Sequence, residues 1–104
     1  MIPSGVRILV CTEPQDMRRS FDGLCLVVEQ YVGADPKSGA LFVFTNKRKN
    51  RLKVLWFDRN GFCILYKRLH RARFELPSSR CIDAHSLGML LRGVDSARSA
   101  SLRT

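Results

Sequence analysis

Acid is scarce in this sequence. Nine Asp and Glu stand against eighteen Lys and Arg, a formal net charge of +9. Long apolar runs are missing too. None approaches the ~20 residues that span a bilayer as a helix. Met1 to Val10 has no apolar stretch flanked by charge, so no export leader is expected. A cytoplasmic chain with reduced thiols follows as the expectation. Cys11, Cys25, Cys63 and Cys81 include no CxxC pair, which excludes the usual zinc spacing and leaves them as small core hydrophobes. There is no glycine-rich phosphate loop, no internal repeat and no linker. His70 and His85 have no motif partner for nucleophilic catalysis. Most of the nine acids fall at turns or helix caps, where short polar side chains have local tasks. They do not converge as two-metal chemistry requires. No catalysis, cofactor, metal or small-molecule substrate is expected.

What is present is a chain of 104 residues, enough to bury a core without disulfide or metal staples. Residues 1–95 are expected to form one domain, and 96–104, rich in Ser, Ala and Arg, a frayed tail. Arg7 to Thr12 reads as a short strand, broken by Glu13-Pro14. Met17, Phe21, Leu24, Cys25, Val28, Tyr31 and Val32 recur at helical spacing, with Thr12 or Asp16 as the cap. Gly33 and Asp35-Pro36 end that helix.

Three strands follow: Leu41 to Thr45, Leu52 to Asp58 and Phe62 to Arg68. A polar loop at Asn46 to Arg51 and a turn at Arg59-Asn60-Gly61, which contains the Asn-Gly hairpin signal, join them into an antiparallel meander. The strands are apolar on both faces, so something must cover each face. Arg71 to Leu76 suggests another short strand, stopped by Pro77. Asp83 caps a second helix with Leu87, Leu90, Leu91 and Val94 on its apolar stripe. The expected fold is therefore α+β: an antiparallel sheet of about four strands with two helices.

A balance this basic favours polyanion partners. Lys47, Arg48, Lys49, Arg51, Lys53, Arg59, Lys67, Arg68, Arg71 and Arg73 are ten of the eighteen cations, and Asp58 is the only acid among them. In a meander the Asn46–Arg51 loop and the end of the third strand lie on the same side. Both clusters would then share one edge, placed to straddle a DNA backbone. Ordinary solvated surfaces mix signs, which argues against reading these cations as mere surface. Trp56, Phe57, Phe62 and Tyr66 interleave with the cations and are expected to pack in the core. Stacking on bases is the other role open to them. Arg18 and Asp22, four apart on a helix, can pair. With Arg19 they form either a local ion pair or a surface for a protein partner.

Several short motifs recur in a characteristic order. They are Ile2-Pro3 with Ser4-Gly5-Val6, then Asp16-Met17-Arg18-Arg19 with Phe21-Asp22-Gly23-Leu24. Asp35-Pro36 with Ser38-Gly39 and Leu41-Phe42-Val43-Phe44 come next. Arg51-Leu52-Lys53-Val54-Leu55-Trp56 precedes Asp58 and Gly61, and Tyr66-Lys67-Arg68-Leu69 precedes Arg73-Phe74 and Pro77. Met89-Leu90-Leu91 with Gly93-Val94-Asp95 closes the series. Together, over residues 2 to 95, the chain resembles the TnpB, or Orf2-like, accessory proteins of the IS-sixty-six insertion sequence family. Phe57, Ser20 and Arg92 depart from the family pattern. The resemblance implies a helper of DNA transposition, encoded beside a separate, larger transposase that carries the catalytic acids. The cognate transposase or a sister accessory protein is then the protein partner that the Arg18, Arg19 and Asp22 surface would meet, beside the DNA that the charge favours. The alternative within that role is a protein–protein adaptor that binds the transposase without touching DNA.

Overall fold

A computed structural model describes residues 5–95. The tail expected over 96–104 and the opening residues 1–4 lie outside the described residues. Strand β1 (Ile8–Val10) is built of Ile, Leu and Val, and is followed by helix α1 (Phe21–Val27). A π-helical turn (Val28–Val32) continues α1 and stops at Gly33, which caps it with φ 70°, a conformation that favours glycine. The meander follows as β2 (Leu41–Thr45), β3 (Arg51–Asp58) and β4 (Gly61–Arg68). Then come β5 (Ala72–Arg73), β6 (Cys81–Ile82), helix α2 (Ala84–Arg92) and β7 (Val94–Asp95).

The α+β class and the antiparallel meander are as expected. The main sheet has five strands in the order β4-β3-β2-β1-β6, with β5 and β7 paired separately. It is mixed rather than wholly antiparallel, because β1 runs parallel to β2 (Ile8 beside Leu41, Val10 beside Val43). The reason lies in α1, which carries the chain across one face between the two strands and returns it in the same direction. Beyond Pro77 the chain delivers β6, whose Ile82 pairs with Ile8.

Each face of the sheet is covered by one helix. Leu24, Val27 and Val28 pack with Phe42, Phe44 and Leu55 on one side. Leu87 and Leu90 of α2 pack with Ile8, Val43, Leu52, Val54 and Phe74 on the other. Hence β2 and β3, apolar on both sides, lie central and buried. Each fully buried Leu or Phe contributes roughly 1.5–3 kcal/mol of transfer free energy.

The first helix is shorter than its periodicity predicts. Asp16 Oδ1 accepts the Arg18 N–H at 2.9 Å, and the Asp16 carbonyl accepts the Arg19 N–H at 3.1 Å. This side-chain turn holds residues 16–19 out of the helix. Met17 is buried from the turn, while Phe21 and Tyr31 of the predicted stripe are exposed. Ser20 precedes the helix without a side-chain cap. At the second helix the expectation holds: Asp83 accepts the Ser86 N–H at 2.8 Å. Val94 has left that helix and pairs in β7 opposite Arg73. Gly93 makes the break at φ 72°, where a Cβ would lie 2.5 Å from Leu69 Cδ1. Only glycine lets α2 end so close to the segment after β4.

The cysteines divide. Cys11 is buried, Cys25 and Cys63 are half-buried, and Cys81 is exposed because two-residue β6 lies at the sheet edge. Burial pushes the Cys11 thiol above its ordinary range.

Candidate nucleic-acid interface

The Asn46–Arg51 loop is organised by one side chain. Asn46 Oδ1 accepts the N–H groups of Asn50 at 3.1 Å and Arg51 at 3.0 Å. Its Nδ2 donates to Asn50 Oδ1 at 2.7 Å. The Lys49 N–H donates to the Asn46 carbonyl at 3.1 Å. The turn thus closes on itself, and Lys47, Arg48 and Lys49 project into solvent. Lys49 has φ 60°, the left-handed region where a side chain is disfavoured.

The chain leaving β4 folds back against this loop. Arg68 lies directly opposite Arg51. The Leu69 N–H donates to the Asn50 carbonyl at 2.8 Å, and the Phe74 N–H donates to the Lys49 carbonyl at 2.6 Å. Leu69 and Phe74 both pack in the core beneath. Arg71, exposed, sits between these anchors with φ 58°. Half-buried Arg73 belongs to β5. The structure therefore brings together Lys47, Arg48, Lys49, Arg51, Arg68, Arg71 and Arg73. Arg59 is at the other end of the eight-residue β3, roughly 26 Å away at about 3.3 Å per residue. The turn there is centred on Arg59-Asn60, within the expected Arg59-Asn60-Gly61, because Asp58 and Gly61 form the last pair of the ladder.

Two of the ten clustered cations have other structural tasks. Lys53 is only 8% exposed. Its Nζ donates to the Arg19 carbonyl at 2.7 Å and lies 5.0 Å from the centre of the Tyr66 ring. This corrects its assignment as a surface contact: β3 is covered on both faces, so its long stem is internal and its ammonium is engaged within the protein. Lys67 is exposed, but its Nζ donates to the Leu91 carbonyl at 2.7 Å. A cation at the closing turn of α2 suits the helix dipole.

The predicted Arg18–Asp22 pair does not form, because Arg18 precedes the helix. Its Nε and Nη2 grip the Asp16 carboxylate instead, at 3.0 and 2.6 Å. That contact lowers the Asp16 carboxyl to about 2. Arg18 and Asp16 line one wall of a groove of about 350 Å³ whose other wall is Lys47, Arg48 and Arg51. Arg19 and Asp22 are exposed nearby in the chain.

Of the four aromatics, two pack against the core as expected. Trp56 lies against the α2-side core and Phe62 against the α1-side core. Phe57 meets Phe62 edge-on, with centroids 5.0 Å apart. Tyr66 does not: it is 49% exposed. It stands on β4, which has one strand neighbour among the described residues.

Sequence reading missed a second groove of about 640 Å³, between the loop after β1 and residues 31–35, with Arg7, Arg80 and Tyr31 on its walls. Its lining comes from four separate segments, so no local pattern announces it. Among the described residues no group of three or more His, Cys, Asp or Glu is placed to hold a metal ion. Among them also, no helix is long and apolar enough to cross a membrane.

These features define a small basic α+β protein with a sheet covered on both faces and cations gathered at one end. The chain belongs to the family described as IS66 Orf2 like protein, whose pattern matches residues 6–101. It is thus a TnpB-type protein associated with the transposition of insertion sequences. It is similar to the uncharacterized protein y4hO of Sinorhizobium fredii, 41% identical over 101 residues, covering 91% of this chain and 88% of that protein. It is also similar to the uncharacterized protein y4jC of the same organism, 35% identical over 98 residues, covering 90% and 84%. No solved structure matches it.

Proposed function

We propose that this chain is a non-catalytic helper of transposition that grips the DNA backbone with the basic end of its sheet. The observation that carries this reading is the pair of backbone bonds from Leu69 to Asn50 and from Phe74 to Lys49. They hold two basic runs, distant in sequence, side by side on a rigid support. A backbone already fixed loses little further entropy when the loop meets phosphates. The acids support a helper role over catalysis. Asp16 is tied to Arg18, Asp35 accepts the Lys37 N–H at 2.9 Å, and Asp83 caps α2. Each has a local structural task, and catalysis is left to a separate transposase.

The test replaces Lys47 and Arg48 with Ser and Lys49 with Gly. Exposed changes of this kind alter stability by about 0.5 kcal/mol or less, and the glycine relieves a strained backbone. The variant is expected to fold normally and to retain less duplex DNA. Its slope of log affinity against log salt should fall by roughly 2–3, since each lost phosphate contact removes about 0.9. An unchanged slope would remove the loop from the interface. If the unmodified protein binds no DNA at about 50 mM salt, the adaptor reading takes its place. The eight-residue β4, open along one side among the described residues, favours that second reading. A partner's strand could pair there.

A further inference from the structure

Tyr66 is held on two sides. Lys53 stands 5.0 Å from the centre of its ring, and Lys53 is itself tied to the Arg19 carbonyl. Arg51 Nη1 donates to the Tyr66 hydroxyl at 3.3 Å. Half the side chain nonetheless remains exposed. A ring already fixed in place loses little rotamer freedom when something stacks on it. The next pair on the same face of the ladder, beyond Leu52 opposite Lys67, is Arg51 opposite Arg68, two guanidinium-bearing residues facing each other across β3 and β4. Like charges directly opposite are destabilising, and an anion bound between them relieves the repulsion. An exposed aromatic ring and a pair of opposed arginines therefore adjoin on one face of one strand pair.

We infer that Tyr66 stacks on an unpaired base while Arg51 and Arg68 hold the adjoining phosphate, so that this end of the sheet selects single-stranded over duplex DNA. The inference rests on the proposal that this end binds DNA. Paired bases are already stacked within the duplex and offer no face to a side chain on a strand surface. Unpaired bases do, and stacking tolerates any base because each has a π-face. Phosphate contact at Lys47, Arg48 and Lys49 serves either form of DNA. Tyr66 adds a contact that only the unpaired form can make.

The experiment compares a short thymidine oligonucleotide with a duplex by fluorescence anisotropy at low salt. It uses the unmodified protein, Tyr66→Leu and Tyr66→Phe. Tyr66→Leu is expected to weaken single-strand binding roughly five- to a hundred-fold and to leave duplex binding unchanged. Tyr66→Phe keeps the ring and should keep the preference. Equal losses on both forms, or no loss on either, would overturn the stacking role and leave backbone binding intact. Absence of binding to both forms by the unmodified protein would overturn the underlying DNA proposal as well. A second measurement needs no variant. A single strand carrying bromodeoxyuridine, photocrosslinked to the unmodified protein, should attach to the peptide containing Tyr66. Attachment elsewhere counts against the inference.

Discussion

At one end of the β3–β4 ladder the chain turns through Arg59 and Asn60; at the other it meets the basic loop at Asn46–Arg51. Both ends place a cation where the backbone favours glycine, Arg59 at φ 55° and Lys49 at φ 60°. They differ in what supports that conformation. At the Arg59 end the turn closes locally, with the Asn60 N–H on the Asp58 carbonyl. At the Lys49 end the Asn46 side chain binds from within, and the Phe74 N–H binds from a segment beyond β4. A disfavoured conformation persists where its surroundings over-determine it. The basic loop therefore takes its shape from the core behind it, and the far turn from its own four residues.

This contrast has consequences in stability and in binding. The largest concerns the anchor. Phe74 is fully buried and Phe57 half-buried. Phe74→Ala should cost about 3–5 kcal/mol in urea unfolding, and Phe57→Ala about 2 kcal/mol or less. Equal costs would mean that the basic loop is no more dependent on the core than the far turn is. A smaller effect separates strain from charge. Lys49→Gly and Arg59→Gly should each raise stability by up to about 1 kcal/mol, because each relieves a left-handed side chain. Gel retardation of duplex DNA should weaken for Lys49→Gly alone. Weakening by both would place the DNA contact along the whole hairpin.

The smallest effect is one of pH. Asp16 has its carboxyl lowered from an ordinary value of 3.8 to about 2, chiefly by the side-chain bond from Arg18. A lowered folded-state value means that the contribution is complete above about 4 and disappears as pH falls through about 2. Melting temperatures of Asp16→Asn and the unmodified protein should therefore differ most near neutral pH and converge toward pH 2. A constant difference would show that the turn stands without the ion pair.

Much of this was readable in advance. The meander strands were placed within a residue of their ends because Leu41-Phe42-Val43-Phe44 and Val54-Leu55-Trp56 carry the side chains that pleated, buried surfaces favour. The adjacency of the two basic runs followed from meander geometry. The length of α1 did not, since periodicity at Met17 and Phe21 is blind to the Asp16 side-chain turn between them and the preceding strand. Two-residue β6 and β7 are too short for any periodic signal. Lys53 misled because a lysine's chemistry points to solvent, whereas its position in a central strand decides its burial. Tyr66 misled in the opposite sense. An aromatic residue in a strand normally packs, and only the order of strands in space shows that β4 has an open side.

The parallel placement of β1 carries a consequence for how the molecule assembles. The meander pairs neighbours along the chain, whereas Ile8 must find Leu41 on one side and Ile82 on the other. Contacts between distant segments close larger loops and form more slowly. On that ground β2, β3 and β4 associate first, and β1 completes its pairing only after residues 81–82 are available. Strand β1, the first of the described strands in chain order, is among the last to be locked. Until then the side of β2 that will receive it stands open, which makes the interval before β1 docks the chain's most exposed moment to mispairing.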